Sequence, residues 1–310
     1  MYYYRNDSGE EENMMHRKTK IGIVTFIVII SIFFIYFKDF FIGKIDTTSI
    51  NRIIDLSNIE QLPKNFRMCN SYIKDDVVQN LIGLSDLKIS GSGQFSENSL
   101  DLIKKEIDSD SIIIVDLKQE DHGFINGISI SWVNKKNTSN KGLTKEQILD
   151  NENNKLSSIE HNKEISIQNQ KLIPTKVQNE NELVKNKGMS YIRIPVTDKE
   201  KPSDDMVDYF VQFVQSLPQN TWVHFHCEEG LGRTTTFMVM YDIMKNAKRV
   251  NLDDIMNRQV LIGGQDLLDD KVNTSTNAKE RAEFIKKFYE YSLQNDDNFK
   301  ITWSQWLKTN

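Results

Sequence analysis

Short β-branched runs alternate along this chain with longer segments whose apolar residues recur every three or four positions. Ile112–Leu117 (IIIVDL), Tyr191–Val196 (YIRIPV) and Trp222–His226 (WVHFH) have the length and composition of buried strands. Four segments predict helices. Residues 144–157 follow Thr144 as a cap and place Ile148, Leu149 and Leu156 on one face. Residues 203–217 carry Met206, Tyr209, Phe210, Phe213, Val214 and Leu217; residues 234–247 follow a Gly-rich turn; residues 278–293 carry Ala282, Ile285, Phe288, Tyr289 and Leu293. Strands alternating with helices predict an α/β fold with a mostly parallel sheet covered on both faces. The stretch 134–187 is polar and rich in Asn, Lys and Glu, and predicts exposed helices and loops rather than a second core.

The N-terminus departs from this pattern. Ile21 to Phe37 contains no charge, and Phe40, Phe41 and Ile42 extend the apolar reach beyond Lys38 and Asp39. That run reaches the short end of a bilayer-crossing helix. Arg17, Lys18 and Lys20 precede it, which holds the N-terminus in the cytoplasm and sends the remainder outside. The expectation is a signal-anchor over 21–43 after a cytoplasmic tail, 1–20. A tether over 44–60 and a catalytic domain over 61–310 follow. A cleaved signal peptide with secretion is the alternative, although no A-x-A-like site follows the run.

With 310 residues, 38% hydrophobic and 27% charged, the chain has enough apolar surface for a sizeable core. Its net charge of −5 sets aside a generic nucleic-acid binder, although a local basic pocket remains compatible with an acidic whole. Two cysteines, Cys69 and Cys227, make neither a disulfide framework nor a four-ligand zinc site. Thiol chemistry therefore rests on one residue or the other.

Cys227 sits where such chemistry is expected. Val223 to Thr234 reads VHFHCEEGLGRT: a strand, a loop with Gly230 and Gly232, then Arg233 and Thr234 opening a helix. A tight loop between strand and helix turns its backbone N–H groups inward as a nest for phosphate, and the helix N-terminus adds positive potential. Arg233 can clamp two phosphate oxygens with its planar fork. The same field favours the thiolate of Cys227, a nucleophile for phosphoryl transfer. The Thr234 hydroxyl can donate to that thiolate. No metal or cofactor is required, since Arg233 and the loop amides of Glu228, Glu229, Gly230, Leu231 and Gly232 meet the phosphoryl oxygens. Departure of the alcohol needs an acid. Asp198, directly after YIRIPV, emerges at the same carboxyl edge of a parallel sheet. Glu200, Asp204 and Asp205 are alternatives, with Asp204 better explained as a helix cap.

HCEEGLGRT resembles the signature loop of the cysteine-dependent protein tyrosine phosphatase superfamily. LPKNFR (62–67), GLSDLKISGSGQFS (83–96), VDLKQEDHGFINGISISW (115–132), IPVTD (194–198) and ITWSQWLK (301–308) extend the likeness to one branch, the bacterial protein-tyrosine-phosphatase-like inositol polyphosphatases, or cysteine phytases. The resemblance covers about residues 61–310. It implies a phosphatase-type, mostly parallel sheet flanked by helices, with a small partial β-barrel lobe. It implies metal-independent hydrolysis of myo-inositol hexakisphosphate and lower inositol polyphosphates through a phosphocysteine. By the resemblance, Cys227 is the nucleophile, Arg233 the phosphate clamp and Asp198 the acid; His226 and Thr234 tune the thiol. Arg67 and Lys271 resemble contacts to other phosphates and Asp116 a pocket carboxylate, while Lys199, after the acid, can still bind phosphate. Lys118, Lys199 and Glu229 depart from the residues common at their positions. Glu229 adds an acid to the loop, with its side chain expected to point away. His122 reads as a brace, Cys69 as an inert buried thiol, and Trp303 and Trp306 as anchors of the last segment. A protein tyrosine or dual-specificity phosphatase is the alternative function. A catalytically silent phosphate-binding module runs against the intact Cys227, Arg233 and Asp198 set.

Overall fold

The computed structural model describes residues 50–73, 80–269, 271 and 273–310, all within one compact unit, Thr48–Asn310. The expected tail and membrane segment, 1–43, lie outside the described residues. Among the described residues no helix is long and apolar enough to cross a membrane.

Eleven strands and eight α-helices are defined among the described residues. A five-stranded sheet has the order β10-β4-β11-β3-β2, formed by Ser190–Val196, Ile112–Lys118, Trp222–His226, Ile89–Ser92 and Arg67–Met68. Its strands are parallel except for the β2–β3 pair. A four-stranded antiparallel sheet, β1-β6-β5-β9, forms the smaller lobe from Asn51–Leu56, Ile128–Val133, Asp121–Ile125 and Val177–Gln178. The hairpin β7–β8 joins Ile165–Ile167 to Gln170–Leu172.

Strand alternation sorts the central side chains between two faces. Val115, Leu117, Val223 and Phe225 join Phe210 and Val214 of α4 (Asp204–Ser216) and Phe237 of α5 (Gly232–Asn246) in the largest core. Ile112, Ile114 and Trp222 turn to the other face. There they meet Leu100 and Ile103 of α1 (Glu97–Ile107) and Leu183 and Val184 of α3 (Glu180–Asn186). Each fully buried side chain of this kind is worth about 1.5–3 kcal/mol. Helix α5 is apolar on nearly every side because it lies between β3 and β11 and two further helices, α6 (Leu252–Leu261) and α7 (Thr276–Gln294). It starts at Gly232, two residues before the expected helix.

Three expectations need correction. The tether drawn over 44–60 contains strand β1, paired with β6 from Asn51↔Val133 onward, so the folded unit starts before residue 61. The polar stretch 134–187 does more than cover surface. Leu156, in the last turn of α2 (Lys145–Ser157), and Ile159, just after it, pack with Ile167, Ile125, Ile130 and Trp132 in the core of the small lobe. Its helices begin with reciprocal capping boxes, Thr144 with Gln147 and Asn179 with Glu182. Asp204 does not cap α4. It accepts the Trp303 indole N–H at 2.9 Å, while Ser203 occupies the cap position. Trp303 and Trp306, in α8 (Trp303–Trp306), are buried and stacked, anchoring the C-terminal segment as expected.

Candidate active site

Cys227 leaves the end of β11, the central strand of the large sheet. The loop that follows is held from outside by its carbonyls. The Glu228 carbonyl accepts from the Gln94 backbone N–H (3.0 Å), that of Glu229 from Asn65 Nδ2 (2.7 Å) and that of Gly230 from Arg67 Nη1 (2.7 Å). A trans peptide points its N–H opposite to its C=O. Three outward carbonyls therefore turn the amides of residues 229, 230 and 231 inward, as a phosphate nest requires. The Gly230 N–H donates to Cys227 Sγ at 3.3 Å, and Thr234 Oγ1 donates to the same sulfur at 3.1 Å. Gly230 has φ +76°, and a Cβ there would lie 2.3 Å from the Gly93 nitrogen, so no other residue fits this turn.

Arg233 is buried, and its fork is already occupied. Nη1 and Nη2 donate to the two carboxylate oxygens of Glu120 at 2.8 and 2.9 Å, and Nη1 also reaches the Val196 carbonyl at 3.1 Å. Nε is buried without a partner. Burial pushes the Glu120 carboxyl up, but the Arg233 guanidinium overrides it and holds Glu120 at about 2. Glu120 was not recognised in the sequence; its only signal is its place in LKQEDHG.

Asp198 reaches the same guanidinium, with Oδ1 3.4 Å from Nη2, and its side chain is 26% exposed. Burial raises its carboxyl above the ordinary value, against the opposing pull of Arg233. That direction suits a group that must donate a proton. Lys199 is exposed beside it, with φ +66°. A cleft of about 810 Å³ flanks the far side of this loop, bordered by Thr197, Lys201, Lys145 and Tyr209; Cys227 does not line it.

Arg281, on α7, is a second arginine that sequence reasoning missed. It is 5% exposed, and a Cβ on Gly232 would come within 2.8 Å of its Nη1. Among the described residues its guanidinium has no hydrogen-bond or ion-pair partner, and burial lowers its affinity for the proton against the fields of Asp198 and Cys227. A buried, uncompensated cation next to the loop favours an anion there. Only a helical period marked its segment in the sequence.

Several expected contacts fall elsewhere. Arg67 lies behind the loop, donating to Asn65 O, Gly230 O and Thr235 Oγ1, so it braces the loop rather than facing substrate. Asp116 is fully buried, bound by the Tyr191 hydroxyl at 2.7 Å and paired with His122 and Arg193; it is not a pocket carboxylate. Glu228 turns to Lys118 Nζ (3.0 Å), which also pairs with Asp55 of β1 (3.1 Å) and donates to Ser131 Oγ. Burial raises the Asp55 carboxyl to about 6 despite Lys118. Glu229 points outward to Lys64 at 3.4 Å, as expected. Only the backbone of these two glutamates is available to an anion. Lys271 is exposed, and its backbone N–H donates to Asp269 Oδ1; among the described residues its side chain joins no cluster at the loop. Cys69 is buried, with its thiol pushed far up by burial, as an inert group should be. His226 turns from the loop to Glu180.

Residues 142–245 match the model of the PTPlike_phytase family, described as "Inositol hexakisphosphate". A PTP-like phytase from Bdellovibrio bacteriovorus is 32% identical and superimposes with a TM-score of 0.72, over 84% of this chain and 96% of that one. The chain belongs to the PTP-like phytase family. Its fold also matches the PTP-like myo-inositol phosphatase of Mitsuokella multacida, solved with myo-inositol-(1,3,4,5)-tetrakisphosphate, at 34% identity and a TM-score of 0.77. That match covers 84% of this chain and 50% of the other. The effector protein hopD2 of Pseudomonas syringae pv. tomato is 26% identical over 260 residues, 78% of this chain and 56% of its own length. The chain thus spans about half the length of the Mitsuokella and Pseudomonas relatives.

Proposed function

We propose that this PTP-like phytase hydrolyses phosphomonoesters of inositol polyphosphates through a phosphocysteine. The observation that carries the chemistry is the Cys227 sulfur held by the Gly230 N–H and Thr234 hydroxyl, below an Arg233 fork fixed by Glu120. The Cys227 thiolate attacks phosphorus. The inward loop amides and Arg233 receive the equatorial oxygens, Arg233 with its unpartnered Nε. Asp198 gives its proton to the departing alkoxide, then takes one from the water that attacks the phosphocysteine. The returning sulfur accepts again from Thr234.

The polyanionic substrate is supported by family membership, by the inositol tetrakisphosphate bound to the Mitsuokella relative, and by Arg281, whose charge has no protein partner among the described residues. Phosphate release from inositol hexakisphosphate, compared with a phosphotyrosine peptide and with Cys227→Ser as the blank, tests the reading. Preference for the inositol substrate is expected, with KM rising as salt screens the pocket. Preference for the peptide would leave the thiol chemistry intact and overturn the substrate.

The same reading carries residues 21–43 as a membrane anchor with the catalytic unit outside the cytoplasm, supported by the uncharged run and the Arg17, Lys18 and Lys20 flank. Protease added to intact cells should remove the catalytic unit; full protection would sink this topology.

A further inference from the structure

Strands β4 and β5 are joined by two residues, Gln119 and Glu120. The proposed steps use the second, which fixes Arg233, and leave the first without a role. The turn that carries them is itself held in place. Arg193, on the neighbouring β10, donates through Nε to the Lys118 carbonyl at 2.9 Å and through Nη2 to the Glu120 carbonyl at 2.8 Å. The Gln119 carbonyl between them accepts from Asn140 Nδ2 at 2.9 Å. Three consecutive carbonyls are thus bound by two buried side chains.

The loop that carries Asp198 leaves the sheet beside this turn. The parallel ladder between β10 and β4 ends at Val196↔Lys118. One residue further on, the two chains stay joined through side chains: Thr197 Oγ1 donates to Gln119 Oε1, and both residues are buried. Asp198 comes next. The Val196 carbonyl takes Arg233 Nη1 at 3.1 Å, which fixes the strand end but not the residues after it. Beyond Asp198 the restraints are weaker. Lys199 has φ +66°, a conformation that side chains disfavour. The Glu200 N–H donates to the Thr197 carbonyl at 3.1 Å, so that turn closes on Thr197 itself. The Lys141–Glu200 pair, at 2.6 Å, is 57% and 28% exposed, and exposed pairs contribute little. Asp198 reaches Arg233 at 3.4 Å, too long for a strong hydrogen bond. The buried bond at Thr197 therefore ties the acid's immediate neighbour to a fixed turn.

We propose that Gln119 is a positioning residue for the general acid: its amide oxygen holds the Thr197 hydroxyl and, through it, keeps Asp198 against the Arg233 clamp. The two residues of one turn then divide the work. Glu120 sets the group that grips the phosphoryl oxygens, and Gln119 sets the group that protonates the departing alkoxide. Geometry of this kind matters because a catalytic group must stay within hydrogen-bond reach of the atom it serves. The inference rests on Asp198 as the acid of the proposed mechanism.

Thr197→Val removes the donor and keeps the shape; Gln119→Met removes the acceptor at similar length. The readout is kcat/KM, which reports the first phosphoryl transfer, on glycerol 2-phosphate and on p-nitrophenyl phosphate. Glycerol 2-phosphate has an alkoxide leaving group and keeps the result independent of the inositol reading. In either variant kcat/KM on glycerol 2-phosphate should fall roughly 10–100-fold, the upper figure being the cost of a 1 Å misplacement. On p-nitrophenyl phosphate, whose leaving group needs no proton, the fall should stay below about threefold. Thr197→Ser keeps the hydroxyl and should restore most of the alkyl phosphate activity. The double variant should be no slower than the worse single one, because both changes remove the same bond. Lys141→Ala should show no such split between substrates; a split there would mean that the surface ion pair holds the loop and would overturn the proposal. Equal losses on both substrates would reduce the bond to a structural one, and losses that multiply in the double variant would make the two residues independent; either result overturns it as well. If Gln119→Met does not fold, Thr197→Val against Thr197→Ser decides. A split for Asp198→Asn without one for Thr197→Val sinks this inference and leaves the acid in place, whereas equal losses for Asp198→Asn sink both.

Discussion

Glu120→Gln tests whether the phosphate clamp is set in advance by a buried ion pair. The Glu120 and Arg233 side chains are each 1% exposed and share two hydrogen bonds of 2.8 and 2.9 Å. Removing one charge of a buried pair costs about 3–5 kcal/mol. Glutamine retains one of the two bonds, which returns about 1 kcal/mol. The net expectation is a loss of about 3 kcal/mol. The pH linkage gives a figure of the same size. Glu120 is held at about 2, below its ordinary 4.5, so its contribution is present above pH 4.5 and lost as pH falls toward 2. A shift of about two and a half units corresponds to about 3 kcal/mol. For a unit of this size the melting temperature should fall by roughly 6–12 °C. The variant should lose least toward pH 2, where Glu120 of the wild type is half protonated in the folded state and its contribution is mostly gone. Inorganic phosphate in the loop supplies the missing negative charge, so it should raise the melting temperature of the variant more than that of the wild type. A fork free to tilt by about 1 Å costs on the order of 100-fold in kcat. Thermal melts at pH 7 and pH 3, with and without phosphate, and kcat on an aryl phosphate measure all of this. A fall of less than 2 °C with kcat within about threefold of wild type would refute the reasoning and leave the Val196 carbonyl and the loop to orient Arg233 alone.

Asp198→Asn should lower kcat about 10²–10⁴-fold on alkyl phosphates and much less on p-nitrophenyl phosphate, whose leaving group needs no proton; equal losses would remove Asp198 as the acid. Gly230→Ala places a Cβ 2.3 Å from the Gly93 nitrogen at φ +76°, so it should abolish phosphate binding by calorimetry while far-UV circular dichroism stays native; tight binding would show that the loop can relax. Asp55 has its carboxyl raised to about 6 from 3.8, so its contribution is present below about pH 4 and lost as pH rises through 6, up to about 3 kcal/mol. Asp55→Asn should flatten that decline in urea midpoints taken between pH 4.5 and 7, and an unchanged slope would place the titration on another group.

The sheet, the helices and the loop around Cys227 were legible because their signals are local. A β-branched run of strand length, a cap with its partner three residues on, and Cys followed by two glycines and Arg all fall within one short window. The residues that set the charge of the site have no such signal. Arg233 meets Glu120 across 113 positions, and Lys64 meets Glu229 across 165. Asp55 was assigned to a tether because β1 is a half-buried strand with little apolar contrast. Glu152 and Glu180 sit in helices polar enough to read as surface, yet both are buried, one against Arg193 and the other against His226. Arg67 and Asp116 were expected to face the substrate, but their orientation depends on neighbours that no spacing rule reveals: a carbonyl for one, a tyrosine and a histidine for the other.

The ties that fix the loop also set when it can form. Its carbonyls, its glutamates and its arginine are held by residues 65, 67, 94, 64, 118 and 120, and α7 brings Arg281 from fifty residues downstream. Closing so many long loops delays assembly until most of the chain has collapsed. The thiol therefore gains its reactive surroundings only in molecules whose two lobes and last long helix have already met, and a chain arrested partway through folding carries Cys227 as an ordinary cysteine.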